Sequence, residues 1–424
     1  MIKINMDRLV SNLQTLGKIG LNESGGLDRT AFTDAELQAR NWLFEKLNAI
    51  NLTVKVDEIA NIWAKREGSN PKYPSIVFGS HIDSVPNGGK YDGALGVLMA
   101  LEVMQTLEEN GIQTTYPLEL VSFSAEEANP FGVSTLGSRA AAGKLKQQDI
   151  FNAINDEGMT LTQALQKAGG DPVHFEKAKR NPNELAAYLE VHIEQGKRLL
   201  NREIPVGIVT GITGIYREQV TVSGEANHAG TTLMKDRTDA LMQASEMMLA
   251  FETAVKDYPD EELVGTIGKI ENYPNAANVI PGQVELHIEI RGGSRDAIQD
   301  VINKWEKKLE EIRQRRNGKV HRHVTKDQLP VTMDPILMDT SEQAATKFGY
   351  ATMRLGSMAG HDAAHMATLT KAGMLFVPSI DGKSHCPEEE SRKSDIEIVC
   401  NTLLHSILLL DQQLSKQFQL IYSK

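Results

Sequence analysis

The segment GSHIDSVPNGGKYDGALG, Gly79 to Gly96, places His81 two residues before Asp83 and then reaches Asp92, followed directly by Gly93. Imidazole and carboxylate are ligands for divalent ions, and a metal-bound histidine usually donates its other ring N–H to a carboxylate. At i and i+2 on an extended chain, His81 and Asp83 share a face, so Asp83 can orient His81. A second segment, VSFSAEEANPFG, ends an apolar run on Glu126 and Glu127. Paired carboxylates are costly at the end of an apolar strand unless a cation is close. Beside a metal they divide the work, one as ligand and one as general base. In LEVHIEQG, Leu189, Val191 and Ile193 alternate with Glu190, His192 and Glu194, so the three polar side chains share one face. SIDGKSHCPEEES adds His385 in a loop after an apolar strand. Taken singly, Asp92 also reads as a helix cap, His81 as a core histidine, the two glutamates as a solvated strand end and His385 as incidental.

The elements around these residues bring them together. YPSIVF, PLELVSF and AAYLEVHI are short apolar runs of strand type, and ALGVLMALEVMQTLEEN after Asp92 reads as a helix. Strand-like and helical segments alternate, which predicts an α/β fold with a mostly parallel central sheet covered by helices. In such sheets ligands bind at the carboxyl ends of the strands. All four clusters follow predicted strands, so His81, Asp92, Glu127, His192 and His385 can converge there. Three imidazoles and two carboxylates suit two divalent ions, with Asp92 able to bridge them. Between residues 213 and 328 the pattern changes to strand, helix, strand, strand, helix, strand, the order of a ferredoxin-like α+β unit. The expected organisation is therefore a discontinuous domain of 1–212 and 329–424 with 213–328 inserted, and hinges near Thr213 and Leu329. The helix after GEANHAGTT is expected over about Thr238 to Val255, and NVIPGQVELHIEIR is expected to be a strand.

Composition narrows the function classes. The 424 residues are 41% hydrophobic and 24% charged, as in ordinary water-soluble domains. A formal net charge of -11 argues against nucleic acid or an anionic membrane surface as the main partner. Two cysteines, Cys386 and Cys400, make no disulfide framework. The amino-terminal MIKINMDRLVSNLQTLGKIG reads as an amphipathic helix rather than a signal peptide. No run approaches the ~18 apolar residues of a membrane span. A cytoplasmic protein acting on a small molecule is expected.

The order HIDS…YDG…EE…H…H, with EVHIEQG, GEANHAGTT, NVIPGQVELHIEIR and SMAGHDAAHM, resembles the amidase, hydantoinase/carbamoylase family of the dinuclear (M20-like) metallopeptidase superfamily. That family includes N-carbamoyl-L-amino acid hydrolases, allantoate amidohydrolases and β-ureidopropionases, and the likeness runs over essentially the whole chain. The resemblance implies two divalent ions per subunit, zinc or manganese, with cobalt or nickel also accommodated. His81 and His192 would hold one ion, Glu127 and His385 the other, and Asp92 would bridge. Glu126 would be the general base, with Asp83 orienting His81. His228 would stabilise the oxyanion, and Arg291 would clamp a substrate carboxylate. Asn278, Gln195, Gly360 (through its backbone) and Arg217 would hold other polar groups. The inserted domain would serve as lid and as dimer contact, giving a homodimer. One departure is the loop TTLMKDRTDA, where the family commonly has a proline soon after NHAGTT.

The implied activity is metal-dependent hydrolysis of the carbamoyl C–N bond of N-carbamoyl-L-amino acids, releasing the amino acid, carbon dioxide and ammonia. The alternative is allantoate hydrolysis with the same metals and a different pocket. An aminoacylase or dipeptidase is disfavoured by His192 and GEANHAGTT, and a catalytically silent binding protein by the intact ligand set and Glu126.

Overall fold

A computed structural model describes residues 2–260 and 262–422. The chain forms two compact units, one of Met1–Thr210, Thr332–Leu355 and Gly360–Lys424, the other of Gly211–Val331 and Gly356–Ala359.

The larger unit is built on a mixed sheet. At its centre Leu118–Phe123, Ser75–His81, Leu185–Ile193 and Ala372–Val377 lie side by side and run parallel. Thr53–Val56 and Ile62–Arg66 flank them antiparallel on one side, and Val206–Ile212 on the other. The three strands Ser75–His81, Leu118–Phe123 and Ala372–Val377 are buried along their whole length. A strand covered on both faces has no need of alternation, which is why these segments read as apolar runs. The helix Ala94–Glu109 is buried almost all round, from Ala94 to Val103 without interruption, as its near-continuous apolar sequence requires. Two expected boundaries move. Ser75–His81 ends before Asp83, and Leu118–Phe123 ends before Glu126, so both acids lie on the turns that follow their strands. A long helix, Lys393–Tyr422, carries the apolar run IVCNTLLHSILLLDQQL.

The smaller unit has a four-stranded antiparallel sheet in the order Lys319–Gln328, Gly214–Ser223, Gln283–Gly292, Val264–Tyr273. Two helices, Ala240–Lys256 and Arg295–Arg316, complete a strand–helix–strand–strand–helix–strand order. The first helix starts two residues later than expected because Asp239, not a residue upstream, is its cap, accepting from the N–H of Leu241 and Met242. Val284, Leu286, Ile288 and Ile290 alternate into the core, which leaves Glu285, His287, Glu289 and Arg291 on the other face. Trp305 anchors that core, fully buried, with its indole N–H donating to the Met247 carbonyl at 3.0 Å. Truncating such a residue costs about 3–5 kcal/mol.

The run NVIPGQVELHIEIR is not one strand. It breaks at Pro281–Gly282 into Val279–Ile280 and Gln283–Gly292. Proline cannot donate to a ladder, and the short piece pairs instead with Asn227–His228. That ribbon sets Asn278 beside His228, with the Asn278 carbonyl receiving the Ala229 N–H at 3.0 Å.

Candidate metal centre

His81 is the last residue of Ser75–His81 and His192 the next to last of Leu185–Ile193, so the two imidazoles emerge from adjacent strands at their carboxyl ends. Asp92 sits in the crossover before the helix Ala94–Glu109. It does not cap that helix: the cap is Gly93, with no side-chain hydrogen bond, so the carboxylate is free for other partners. Gly93 has φ +63, and a Cβ there would lie 2.2 Å from Nε2 of His81. Glycine is what lets the chain pass under the imidazole.

Asp92 divides its two oxygens between two groups. Oδ1 lies 3.0 Å from Nε2 of His192 and 3.7 Å from Nε2 of His81. Oδ2 lies 3.4 Å from Nε2 of His385, which is itself 3.2 Å from Oε1 of Glu127. In each triple, His81–Asp92–His192 and Asp92–Glu127–His385, the ligand atoms fall within 4.8 Å of one another. Nδ1 of His81 faces the Asp83 carbonyl at 3.1 Å, and Nδ1 of His192 faces the Ile193 carbonyl at 3.0 Å. Each carbonyl takes the Nδ1 proton, so both Nε2 atoms point at Asp92. Without an ion a proton on Nε2 fills the space between imidazole and carboxylate, and a divalent ion would displace it. The donor set and its tautomers therefore fit divalent ions.

The electrostatics carry the same message. Burial opposes protonation of His81, but the carboxylates of Glu126, Asp83 and Asp92 hold its pKa well above the ordinary value. Burial likewise opposes ionisation of Asp92, and His192, His385 and His81 outweigh it to hold the carboxyl well below the usual range. His385, half exposed, is pushed up to about 10 by Asp92 and Glu127. Glu126 belongs to neither triple. Burial, reinforced by the charges of Asp362, Glu127 and Asp83, raises its pKa well above that of an ordinary carboxyl, against the pull of His81. A carboxyl of raised proton affinity, 3.5 Å from Nε2 of His81, suits the transfer of a proton.

Asp83 lies beside His81 as the spacing implies, with Oδ1 at 3.5 Å from Nδ1, yet its backbone carbonyl is closer. Its carboxylate also accepts the N–H of Glu126 at 3.3 Å and of Glu127 at 3.1 Å. Gln195, expected to face substrate, donates its amide to Oδ2 of Asp92 at 2.7 Å and to Ser384 at 3.1 Å. Gly360 is exposed, with open space where a side chain would be.

In the smaller unit, Nδ1 of His228 accepts the N–H of Gly230 at 3.0 Å and of Thr231 at 3.3 Å. Those bonds assign the proton to Nε2, which is left as a donor. Arg291 donates to Glu289 at 2.6 Å and to the Met358 carbonyl at 2.9 Å, and Arg217 pairs with the other oxygen of Glu289.

Several polar residues under the centre were not singled out from the sequence. His361 packs edge-on against His192, ring centroids 4.5 Å apart, and burial followed by the His192 charge holds its pKa well below the usual value. Glu190 takes hydrogen bonds from Ser80 at 2.8 Å and the Ala363 N–H at 2.8 Å. Asp362, fully buried, is pushed up to about 8 by burial and then by Glu190. The signal for Glu190 was its place on the His192 face of LEVHIEQG, and for His361 and Asp362 their adjacency to Gly360 in AGHDAAH.

Residues 77–409 match the family Peptidase family M20/M25/M40. An N-carbamoyl-L-amino acid amidohydrolase of Geobacillus stearothermophilus is 36% identical over 409 residues, 96% of this chain and 99% of that protein. An allantoate amidohydrolase of Bacillus subtilis is 35% identical over 91% of this chain and 93% of its own. The crystal structure of an amidase of the hydantoinase/carbamoylase family from Burkholderia multivorans superposes with a TM-score of 0.88 at 32% identity, covering 96% of this chain and 98% of that one. The chain thus belongs to peptidase family M20/M25/M40, and within it to the hydantoinase/carbamoylase amidases.

Proposed function

We propose that the protein is a metal-dependent amidohydrolase that cleaves the carbamoyl C–N bond of N-carbamoyl-L-amino acids, giving the amino acid, carbon dioxide and ammonia. The observation that carries this reading is Asp92, whose two oxygens serve two separate donor triples with Glu126 alongside. His81, Asp92 and His192 would hold one divalent ion, and Asp92, Glu127 and His385 the other. Bound there, the pair, zinc or manganese in this reading, would supply Lewis-acid polarisation of the carbonyl and acidify water.

The chain's own groups do the rest. Glu126 takes a proton from the attacking water and later delivers it to the leaving nitrogen, a task for which its raised proton affinity suits it. Asp83 holds the Glu126–Glu127 backbone, and so sets base and ligand in one stroke. His228 offers Nε2–H to the developing oxyanion. Arg291, with Glu289 and a carbonyl steadying part of its guanidinium, offers its remaining N–H groups to the substrate carboxylate. Asn278, Gln195 and the Gly360 backbone would meet the substrate's polar atoms, with Arg217 as a further candidate.

The inserted unit takes the part of lid and dimer contact in this reading, within a cytoplasmic homodimer. Supporting it, Met242 and Leu249 of the helix Ala240–Lys256, and Val264 and Ile270 of the edge strand Val264–Tyr273, are apolar and exposed. Sedimentation at micromolar concentration checks it, and a monomer would remove that role. No described helix is long and apolar enough to cross a membrane.

The activity test is ammonia release by protein reconstituted separately with zinc and with manganese, on N-carbamoyl-L-amino acids and on allantoate. Release mainly from the carbamoyl amino acids supports the proposal. Release mainly from allantoate favours the second reading, for which the Bacillus subtilis relative speaks, and leaves the residue roles in place.

A further inference from the structure

Glu389 stands in the acidic run PEEES, yet it is only 4% exposed. Its Oε1 accepts the backbone N–H of Tyr91 at 2.8 Å and of Asp92 at 3.0 Å. Its Oε2 lies 2.9 Å from the hydroxyl of Ser384, which is also 2.7 Å from Oδ2 of Asp92. A buried carboxylate beside a second carboxylate is an expensive choice for a loop anchor, and its three hydrogen-bond contacts offset that cost. The fit is close: a Cβ on Gly89 would stand 2.0 Å from the Glu389 carboxyl group.

We propose that Glu389 is the positioning residue that assembles the second donor triple, by locking the Asp92 turn to the loop that carries His385. His81 and His192 issue from strands paired within the central sheet, so their places are set by ladder hydrogen bonds. His385 has no such support. It is half exposed, at φ +56, on a loop that Glu389 ties to Tyr91 and Asp92. Removing the tie loosens Asp92–Glu127–His385 and spares the side of Asp92 that faces His81 and His192. The inference rests on reading the triples as metal-holding.

The test is metal content per chain after dialysis, with titration of the weaker ion and thermal melting of the metal-free protein, for wild type, Glu389→Ala, Glu389→Gln and Gly89→Ala. The alanine variant is expected to keep one ion and to bind the second about 10- to 100-fold more weakly, the usual cost of losing a partner of a metal ligand. Gly89→Ala, which displaces the carboxylate without altering Glu389, is expected to do the same, and it carries the test should Glu389→Ala not fold. Glu389→Gln keeps an acceptor for both N–H groups and is expected to retain two ions. Two tightly bound ions in both Glu389→Ala and Gly89→Ala would overturn the inference. So would loss of both ions from a folded variant, or failure of Glu389→Gln to restore the second. Wild-type protein that binds no divalent ion would instead remove the metal reading itself.

Discussion

The carboxylate of Asp83 receives the backbone N–H of Glu127 at 3.1 Å, and its other oxygen receives that of Glu126 at 3.3 Å. One side chain therefore grips both acids of the pair, while its carbonyl, 3.1 Å from Nδ1, orients His81. The two tasks are separable. Asp83→Asn keeps the backbone carbonyl but sets an amide N–H against one of two N–H donors, so one hydrogen bond becomes a repulsion. Its kcat is expected to fall about 10- to 100-fold, nearly as far as that of Asp83→Ala. Steady-state kinetics with metal analysis decides the matter; an asparagine variant at wild-type kcat would leave only the carbonyl with a role.

Glu126 lies outside both triples, so its neutral isostere should leave the metals alone. Glu126→Gln is expected to hold two ions with wild-type affinity while kcat drops by ~10²–10⁴, the usual contribution of a general base. Metal content and turnover on the same sample check it. A variant retaining a tenth or more of its activity would place the base elsewhere.

The four polar clusters are legible because a parallel sheet buries its strands on both faces, so an imidazole or carboxylate at a strand's carboxyl end stands out against an apolar run. Pairing order is another matter. Ala372–Val377 lies against Leu185–Ile193 through backbone hydrogen bonds that leave no local trace. Pro281 signals the break in NVIPGQVELHIEIR, but the apolar alternation on either side of it hides that signal. The burial of Glu389 is unreadable for the same reason as the sheet order. Its partners, Tyr91 and Asp92, lie nearly three hundred positions away, and PEEES in isolation has the composition of a solvated loop.

Gly93 offers a steric probe of the first triple. An added methyl would stand 2.2 Å from Nε2 of His81, a ring that is 1% exposed and has nowhere to retreat. The backbone at φ +63 adds a strain of about 1 kcal/mol for any residue with a Cβ. Gly93→Ala is expected to lose the ion of His81, Asp92 and His192 and to melt lower in its metal-free form. Stoichiometry equal to wild type would mean that the crossover shifts freely.

Arg291 is already held by Glu289 and the Met358 carbonyl, which fixes its plane and leaves N–H groups to spare. Arg291→Ala should raise KM for carboxylate-bearing substrates about 10- to 100-fold, in keeping with ~1.5–3 kcal/mol for hydrogen bonds to a charged group. The same substitution should change little for the corresponding carbamoyl amide, which has no carboxylate. Equal losses on both substrates would assign Arg291 to the architecture of its strand.

Metal uptake should release protons. Without a cation, Asp92 and then Glu127 hold the His385 imidazole protonated up to about 10, so at neutral pH its Nε2 is occupied. A divalent ion needs that nitrogen bare, and the proton must leave as the ion enters. The sign follows: loading of Asp92–Glu127–His385 tightens as pH rises from 6 toward 9 and weakens as pH falls. Calorimetric titration in two buffers of different ionisation enthalpy, such as phosphate and Tris, should give different apparent heats for the same ion. Replacing His385 with alanine should lower the number of protons released as well as the affinity. Heats that are independent of the buffer would mean that His385 is neutral before the ion arrives, and that the carboxylates around it are balanced by another charge.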